Sequence, residues 1–279
     1  MCFLIDKAFS LSGENNIVVS GGYALNCVAN YEYLKHLKNK KNIYVEPISH
    51  DGGTSLGAAK RLWHKLTKNT VKKPIKNLYL GPLYKPENYE SLLKKKKVEN
   101  TDEKKIVEIL ESKNIVAIFQ GSSEAGPRAL GNRSLLFDPR VINGKDIVNK
   151  LKKREWFRPF AGTILEEDVH EWFDLREMDN TPFMMYAVNC KQNVKEKIPA
   201  IIHFDNTCRI QTINKNQNEN FYNLIKAFKD KTKFPILFNT SLNLAGEPLV
   251  ETLQDALNLL QNSKLKYLYL PEIKKLVIA

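Results

Sequence analysis

Cysteines are few in this sequence of 279 residues, and long apolar runs are absent. No two of the four cysteines, Cys2, Cys27, Cys190 and Cys208, form a CxxC pair, so neither a zinc site nor a redox motif is indicated. No run approaches the roughly 18 apolar residues of a membrane-spanning helix. The apolar start of the chain, residues 1–16, is too short and interrupted for a signal peptide. We therefore expect a cytoplasmic protein with reduced thiols and no membrane partner.

Arginine is also scarce, because the chain meets most of its need for positive charge with lysine. Only eight of its 43 Lys and Arg residues are arginines, and five of those lie within residues 128–158. The five are Arg128, Arg133, Arg140, Arg154 and Arg158. A guanidinium group offers a rigid planar fork of donors that suits phosphate and carboxylate. This clustering predicts a small anionic ligand bound in a fixed orientation.

The formal net charge of +12 does not by itself indicate a nucleic-acid partner. The excess comes from lysines spread along predicted loops and helix faces, often beside asparagine, as in residues 94–97. Binding of single-stranded nucleic acid would favour aromatic side chains interleaved with the basic runs, and these runs have few. We interpret the lysines as solvated surface and do not expect a nucleic-acid partner.

Residues 1–67 form the first of two predicted blocks. Each half of this block reads as a short strand, a glycine turn and a helix, an order that is typical of an α/β fold. Two strands and two or three helices bury too little surface for a complete nucleotide-binding domain. We therefore interpret the block as the last part of a larger domain. The Pro, Lys and Asn content of residues 68–88 predicts a linker.

Residues 89–279 form the second predicted block, a mixed α+β domain with mainly short strands. Apolar runs predict strands at 114–121, 182–190, 198–204, 208–213, 234–240, 266–270 and 274–279. Apolar periodicity predicts helices at 101–113, 145–156, 221–231 and 252–260. Thr101 is predicted to cap the first of these helices, and Lys150 and Arg154 to share a face of the second.

The strongest motif is SEAGPRALGNRS, residues 123–134, directly after a predicted strand. Its glycines let backbone N–H groups approach an oxyanion closely, while Arg128 and Arg133 add positive charge. A second basic motif, REWFRPF at residues 154–160, carries Arg154 and Arg158 on either side of two aromatic residues. Both motifs predict anion binding; the structural alternatives are a basic turn and an ordinary helix end.

Two polar stretches beside predicted strands could form the wall of a site. In residues 203–212, alternation predicts that five side chains share one strand face: His203, Asp205, Thr207, Arg209 and Gln211. In residues 238–248, neutral donors follow a buried run at the end of a strand: Asn239, Thr240, Ser241 and Asn243. An exposed polar face and a plain polar loop are the alternatives. No nucleophile elbow indicates a serine-type triad.

The first block carries weaker signals. Gly21 and Gly22 form a turn after a predicted strand that would allow a nucleotide to approach, and Asn26 follows them. Asp51 lies on a DGG loop and could bind a metal ion, although such a loop is usually only a turn.

Taken in order, GGYALNCVAN, HDGGTSLGAA, GPRALGNRSLLFDPR, KKREWFRPFAG, HFDNTCRIQT and FNTSLNLAGEP resemble the NodU/CmcH-type O-carbamoyltransferases over nearly the whole chain. The resemblance implies a partial actin/sugar-kinase-like α/β segment followed by a YrdC-like mixed-sheet domain. It also implies that carbamoyl phosphate and ATP form carbamoyladenylate and pyrophosphate, after which the carbamoyl group passes to an acceptor hydroxyl.

The resemblance assigns roles residue by residue. It implies that carbamoyl phosphate and the ATP phosphates are held by Arg128, Arg133, Arg154 and Arg158. It places around the adenylate His203, Asp205, Thr207, Arg209, Asn239, Ser241 and Asn243. Within these sets, we expect catalytic roles for Arg128, Arg154, His203, Asp205, Asn239 and Ser241. Gly21, Gly22 and Asn26 match the nucleotide turn of the actin-like part, and Asp51 matches its aspartate for iron or another divalent metal. Mg²⁺ is expected on the triphosphate.

The chain also departs from the family pattern. The family's histidine metal ligands have no counterpart at His36, His50 or His64, and residues 1–67 match only the end of the actin-like domain. Asn206 stands where glycine is usual, and Ala245 where a basic residue is common. We therefore expect that acceptor transfer requires a separate N-terminal-half polypeptide. Two alternatives stay open: a nucleotide- or RNA-binding remnant without turnover, and an enzyme that adenylates another small carboxylate such as bicarbonate.

Overall fold

The structure is a computed structural model that describes residues 1–37, 42–69, 71 and 75–279. The helices are α1 (Cys2–Ser12), α2 (Cys27–Leu37), α3 (Gly52–Thr67), α4 (Tyr89–Leu93), α5 (Glu103–Glu111), α6 (Gly144–Lys152), α7 (Val169–Trp172), α8 (Glu219–Thr232) and α9 (Leu253–Asn262). The strands are β1 (Asn16–Val19), β2 (Asn42–Val45), β3 (Lys97–Asn100), β4 (Val116–Phe119), β5 (Arg133–Phe137), β6 (Ala161–Leu165), β7 (Phe173–Asp174), β8 (Ala187–Cys190), β9 (Thr207–Ile213), β10 (Ile236–Ser241), β11 (Tyr267–Leu270) and β12 (Lys275–Ile278). The prediction of a mixed α/β fold is confirmed.

The strands form two sheets. β1 and β2 pair in parallel as a two-stranded sheet, and the other ten follow the order β3-β12-β11-β4-β5-β10-β6-β9-β8-β7. Within the large sheet β11 runs parallel to β4 and β6 runs parallel to β9, whereas the other neighbours are antiparallel. This order places β4, β5, β10, β6 and β9, which carry or border the main sequence motifs, side by side in the middle of the sheet.

Helices cover both faces of this central region, and strand β4 shows how. Val116 and Ile118 pack in one apolar cluster with residues of α5 and α8, while Ala117 and Phe119 pack in another with residues of α9. Successive side chains of a strand point to opposite faces, so both halves of the alternation are apolar here. This explains why β4 reads in the sequence as a continuous apolar run.

The first block is only partly covered. Ile17 and Ile43 of its small sheet pack against α1 and α2. On the opposite face, Val18 is 66% exposed and Tyr44 is 45% exposed. α2 and α3 lie where they were predicted, although α3 contributes no buried residue, and α1 was not predicted. In the described part of the chain, no helix has the length and apolar composition needed to cross a bilayer.

The two predicted blocks share a core. Ala24, Tyr31 and Val45 belong to the same apolar cluster as residues of β6, β8 and β9. Asn30, which is fully buried, donates from Nδ2 to the carbonyl of Met185 at 2.9 Å. Helix α2 therefore packs directly on the strand region of the second block.

Part of the predicted linker packs against the SEAGPRALGNRS motif. Residues 70 and 72–74 of the linker lie outside the described residues. The carbonyl of Leu78, a buried residue, accepts from the N–H of Ala125 at 2.7 Å, and Gly81 N–H donates to the carbonyl of Ser123 at 3.1 Å. Residues 78–81 are therefore hydrogen-bonded to the backbone of this motif and do not form a free linker.

Several local predictions were wrong. Residues 198–204 form turns rather than a strand. α5 is capped by Asp102, whose side chain accepts from the N–H of Lys105, because Asp102 rather than Thr101 is the residue that precedes the first helical turn. α6 ends at Lys152 because Lys153 adopts a left-handed conformation, so Arg154 does not continue the helix face of Lys150. Strands β3, β5, β6 and β7 were not predicted.

Candidate functional site

The main motifs meet at one end of the large sheet. β4 ends at Phe119, opposite the first residue of β5, Arg133. β10 ends at Ser241, and its Asn239 lies opposite the first residue of β6, Ala161. Ala161 is in turn paired with Arg209 near the start of β9. Residues far apart in the sequence are thereby brought to a single sheet end.

The arginine loop, residues 120–132, connects β4 to β5 across this end. Gly126 has φ of 100° and Gly131 has φ of 113°, a region that residues with a side chain rarely adopt. A Cβ atom on Gly131 would lie 2.2 Å from Cδ1 of Phe221. The second glycine is therefore required by both the backbone conformation and the close approach of α8.

Buried amides hold the carbonyl groups of this loop. Nδ2 of Asn239 donates to the carbonyl of Ala129 at 3.2 Å. The carbonyl of Leu130 accepts from Nε2 of Gln211 at 3.0 Å and from the hydroxyl of Tyr79 at 2.8 Å. Asn239 is 1% exposed, so it supports the loop from beneath, and its buried Oδ1 has no partner among the described residues.

Arg128 and Arg209 form the centre of the site. Arg128 donates from Nη2 to the carbonyl of Leu25 at 3.2 Å, and burial together with the charge of Arg209 lowers the pKa of Arg128 to about 10. The Nε atoms of both arginines are buried and have no hydrogen-bond partner within the described chain. Unpaired buried donors of like charge are unfavourable unless an anion joins them.

Arg154 and Arg158 extend the same positive region. Burial, followed by the charges of Arg158 and Arg209, lowers the pKa of Arg154 to about 10. Arg154 donates from Nε to Oδ1 of Asn149 at 2.6 Å, and its guanidinium lies 4.1 Å from the ring centroid of Phe160. We call the four arginines Arg128, Arg154, Arg158 and Arg209 the basic cluster.

Carboxylates neutralise little of this charge. Arg158 is exposed and pairs with the exposed Glu155 at 2.7 Å, the one ion pair found for the basic cluster among the described residues. Arg140, in contrast, is paired with Asp138 at 2.6 Å and Glu111 at 3.3 Å and lies outside the cluster. The protein thus leaves a concentrated positive charge available for an anionic ligand.

Lys152 adjoins the basic cluster and was missed in the sequence. It is 2% exposed, and its Nζ donates to the carbonyl of Ser241 at 2.5 Å, to Oγ of Ser241 at 3.2 Å and to Oδ1 of Asn243 at 2.9 Å. Burial, then the charge of Arg154, lowers the pKa of Lys152 to about 7. Lys152 therefore ties the predicted residues Ser241 and Asn243 to the arginines. The available signal was its position two residues before Arg154, at a helix end.

His203, Asp205 and Thr207 lie together, although not on one strand face as predicted. β9 begins at Thr207, and the preceding residues form a tight turn in which Asn206 has φ of 63°. The Thr207 hydroxyl donates to Oδ1 of Asp205 at 2.7 Å and lies 3.0 Å from Nδ1 of His203. A turn that needs positive φ explains why asparagine can replace the usual glycine at position 206.

His203 also contacts the segment that follows the second basic motif. Its Nε2 lies 3.0 Å from the carbonyl of Phe160. Burial lowers the pKa of His203, the backbone contact to Phe160 opposes this effect, and the nearby charge of Arg209 adds to the lowering. The imidazole is therefore biased toward its neutral form beside the basic cluster.

Arg133 has a different environment from the one predicted. Its guanidinium donates to the carbonyls of Gln120, Gly121, Asn132 and Glu251, and all of its N–H-bearing nitrogens are engaged. It lies 3.8 Å from the ring centroid of Phe119 and is fully buried. These contacts engage all of the donor nitrogens of Arg133 and support a structural role for it in the loop.

The predicted nucleotide turn of the first block is exposed. Gly21 has φ of 91°, and Gly22 begins a 3₁₀ turn at Gly22–Leu25. Asn26 caps α2, because its Oδ1 accepts from the N–H of Ala29 at 3.1 Å. The structure therefore gives Asn26 a helix-capping role and leaves the two glycines open to solvent, while Leu25 of the same turn contacts Arg128.

Asp51 immediately precedes α3 and is exposed. Its carbonyl accepts from the hydroxyl of Thr54, and its side chain makes no capping bond. The described residues contain no group of three or more His, Cys, Asp or Glu side chains placed to hold a metal ion. Asp51 is therefore at most one ligand of an incomplete set among the described residues, and no catalytic step is assigned to a metal there.

Two family models match the chain. The model described as the carbamoyltransferase C-terminus matches residues 107–275, and the one described as the carbamoyltransferase N-terminus matches residues 5–60. Two solved structures of HypF, one with phosphate and nucleotide bound and one from T. kodakarensis, are similar, with TM-scores of 0.40 and 0.42 and identities of 18% and 16%. Each similarity covers 59% of this chain and 21% of the HypF chain.

Curated relatives extend over most of this chain. Nodulation protein NolNO of Sinorhizobium fredii is 35% identical over 88% of this chain and 37% of its own length. Nodulation protein U of Bradyrhizobium diazoefficiens is 31% identical over 85% of this chain and 40% of its own length. Protein sll1178 of Synechocystis is 36% identical over 92% of this chain and 47% of its own length. The chain spans less than half the length of each of these relatives. The C-terminus model alone matches more than half of the chain. This chain therefore belongs to the carbamoyltransferase family.

Proposed function

We propose that this chain binds ATP and a carbamoyl donor at the basic cluster and forms a carbamoyladenylate there. Membership of the carbamoyltransferase family supports transfer of a carbamoyl group. The arrangement of the site supports the adenylate step, because the basic cluster and the Lys152–Ser241–Asn243 group adjoin each other.

The observation that carries this proposal is the pair of buried, unpartnered Nε atoms on Arg128 and Arg209. A guanidinium can be buried beside a second one at low cost only when an anion lies between or against them. Phosphate groups match this requirement, since they accept several directed bonds and carry more than one negative charge. Arg154, which feels the charges of both Arg209 and Arg158, adds positive charge beside this pair.

The proposed carbamoyladenylate forms in two steps. A carbamoyl phosphate first loses inorganic phosphate to water and leaves carbamate. A carboxylate oxygen of carbamate then attacks the α-phosphorus of ATP, the bond to the β-phosphate oxygen breaks, and pyrophosphate leaves. Both substrates are anions, so positive side chains offset their repulsion and hold them in line. Mg²⁺ on the triphosphate would supply further charge neutralisation.

The chain's own residues divide this work. Arg128, Arg209 and Arg154 hold and orient phosphate oxygens. Lys152, kept in place by Ser241 and Asn243, provides an ammonium group whose charge can change near neutral pH. His203, whose two ring nitrogens are held by the Thr207 hydroxyl and the carbonyl of Phe160, shapes the site on the side of β9. Hydrogen bonds between Thr207 and Asp205 stabilise the turn that follows His203.

Transfer to an acceptor is proposed to need a polypeptide equivalent to the remaining part of the relatives. The chain spans less than half of their length. In the first block, the sheet face that carries Val18 and Tyr44 is exposed, and α3 buries none of its residues. Exposed apolar surface of this kind is expected where a further polypeptide packs. A hydroxyl-bearing small molecule or glycan is the proposed acceptor class.

The deciding experiment measures pyrophosphate and phosphate release by the full chain with ATP and Mg²⁺, with and without carbamoyl phosphate. We expect release of both products only when carbamoyl phosphate is present, and its loss in Arg128→Ala. Arg61→Ala is the matched control, because Arg61 is an exposed arginine on α3, outside the cluster. Release that is independent of carbamoyl phosphate, or equal in the Arg128 and Arg61 variants, would contradict the proposal.

Bicarbonate in place of carbamoyl phosphate tests the alternative of another small carboxylate. We expect no phosphate release and little pyrophosphate release with it. If a folded chain shows neither activity, the proposed polypeptide is added, and continued inactivity would then argue for the binding remnant.

A further inference from the structure

We propose that Glu124 is a positioning residue that folds the arginine loop around its own carboxylate and thereby aims Arg128 at the ligand. The inference rests on the proposed function for the role of Arg128. The role of Glu124 itself follows from hydrogen bonds that lie apart from the basic cluster.

The carboxylate of Glu124 is an acceptor for the interior of the loop. Its Oε1 accepts from the N–H of Leu130 at 2.7 Å, of Asn132 at 2.8 Å and of Arg133 at 3.3 Å. Glu124 is 6% exposed. Convergent backbone N–H groups form a concavity that binds an anion, and here the anion is a side chain of the same loop.

The loop has no other acceptor for these N–H groups among the described residues. Between the end of β4 at Phe119 and the start of β5 at Arg133, the chain leaves the sheet and its N–H groups lose ladder partners. The carbonyls on the other side of the loop are held by Asn239, Gln211 and Tyr79. Glu124 therefore binds the N–H groups of the loop, while those three side chains bind its carbonyl groups. Together the two sets of hydrogen bonds hold the loop from both sides.

Glu124 acts on Arg128 through the backbone. Arg128 lies two residues before Leu130, the first N–H that the carboxylate holds, and within the described residues no hydrogen bond or ion pair joins the two side chains. Arg128 has to project from an irregular turn with Gly126 and Gly131 at positive φ, which has little rigidity of its own. Without the carboxylate, the direction of the Arg128 side chain would depend only on its contact to the carbonyl of Leu25 and on the bonds to the loop carbonyls.

The buried Oε2 of Glu124 has no partner in the described part of the chain. The side chain thus uses one oxygen for three donors and leaves the other free of contacts that would tie it elsewhere. This makes glutamine an informative substitution, since Glu124→Gln keeps an acceptor oxygen for the same three N–H groups but removes the negative charge. Glu124→Ala removes the acceptor altogether.

The test is a double-mutant cycle on binding of inorganic pyrophosphate, measured by isothermal titration calorimetry on the full chain. It compares the parent protein, Glu124→Ala, Arg128→Ala and the double variant, with Glu108→Gln, an exposed glutamate on α5, as the control. We expect Glu124→Ala to weaken binding at least about tenfold, as for loss of hydrogen bonds to a charged acceptor. Glu124→Gln should recover most of the affinity, and Glu108→Gln should bind as the parent does.

The decisive result is the double variant. If Glu124 works through Arg128, removing both weakens binding no more than Arg128→Ala alone, so the two effects are non-additive. The inference would be overturned if the fold-losses in pyrophosphate affinity of the two single variants multiplied in the double variant, or if Glu124→Ala bound pyrophosphate as the parent does. Either result would leave the proposed function intact. Equal binding by the parent and Arg128→Ala would instead overturn the proposed function. If the alanine variant does not fold, the same cycle is run with Glu124→Gln, where a smaller but still non-additive loss is expected.

Discussion

The guanidinium groups of Arg128 and Arg209 lie close enough for the charge of one to lower the pKa of the other, and each keeps a buried Nε without a partner. Burial is the larger of the two effects on Arg128. Their arrangement is unfavourable in the ligand-free protein and favourable once an anion is bound, so it couples stability to ligand binding.

The first prediction concerns this coupling. Pyrophosphate at 100 times its dissociation constant should raise the free energy of unfolding of the parent protein by about 2.7 kcal/mol. Arg209→Met should abolish this gain and, without anion, should raise the free energy of unfolding by about 1 kcal/mol because it removes a buried like charge. Thermal unfolding with and without pyrophosphate measures both effects. The same gain in Arg209→Met as in the parent would refute the assignment.

The second prediction concerns Arg133, which contacts the backbone rather than the ligand site. Arg133→Met should lower the free energy of unfolding by roughly 3 kcal/mol or more, because four buried carbonyl groups lose their donors. Arg128→Met should have no such cost. Chemical denaturation of the two variants makes the comparison, and equal stability of the two would show that Arg133 is not structural.

The third prediction follows from Lys152. Because its pKa in the folded protein is about 7, against an ordinary value of 10.5, the folded state binds fewer protons than the unfolded state between those two pH values. Stability from this group must therefore rise as pH increases from about 7 to 10.5, and the cost of burying the ammonium is fully present below pH 7. Lys152→Met should lose this rise. Denaturation midpoints across the pH range test it, with Lys153→Met, an exposed neighbour, as the control.

The same lysine should make ligand binding depend on pH. A bound phosphate favours the charged ammonium, so binding should take up a proton, and pyrophosphate affinity should fall as pH rises above about 7. Calorimetry in buffers of different ionisation enthalpy measures the uptake. Equal proton uptake by the parent and Lys152→Met would assign the titration to another group.

The fourth prediction concerns Gly131. Gly131→Ala should lower the free energy of unfolding by about 3 kcal/mol, because a Cβ atom meets Phe221 and the backbone φ is unfavourable for alanine. Gly57→Ala, in α3 with open space around it, should instead raise it by about 0.5–1 kcal/mol. Denaturant unfolding of the pair is the measurement. A tolerated Gly131→Ala would mean that the loop can adopt another conformation.

Local patterns predicted most of the regular structure correctly where periodicity was strong. Helices α2, α3, α8 and α9 and strands β4, β10, β11 and β12 lie where apolar spacing placed them. The failures have physical causes. β5 and β6 are short and lie within or directly after the basic motifs, so turn residues concealed them. In the stretch 198–204, Ile198, Ala200, Ile201 and Ile202 are buried in irregular backbone, whereas the apolar Phe204 is fully exposed.

Residue type and motif predict the members of the candidate site, whereas the contacts of each side chain came only from the structure. Arg128, Arg154, Arg209, Ser241 and Asn243 were identified from residue type and motif, and the structure brings their neighbourhood together. Lys152 was not predicted, because nothing in the sequence distinguishes a buried lysine from the other 34 lysines of the chain. Asn239, for which a catalytic role is predicted, donates to the carbonyl of Ala129, a contact that its residue type alone did not indicate.

The sequence by itself determined the chemistry that this protein can present: where guanidinium groups are concentrated, which glycines interrupt the chain and which family the motifs belong to. Only the tertiary structure decided which of those groups remain available. Arg128 and Arg133 stand in one motif, yet the sheet end leaves the Nε of Arg128 unpaired and surrounds Arg133 with carbonyls. Burial and the proximity of charges arise from contacts between distant segments, and these set the pKa and the free donors of each side chain.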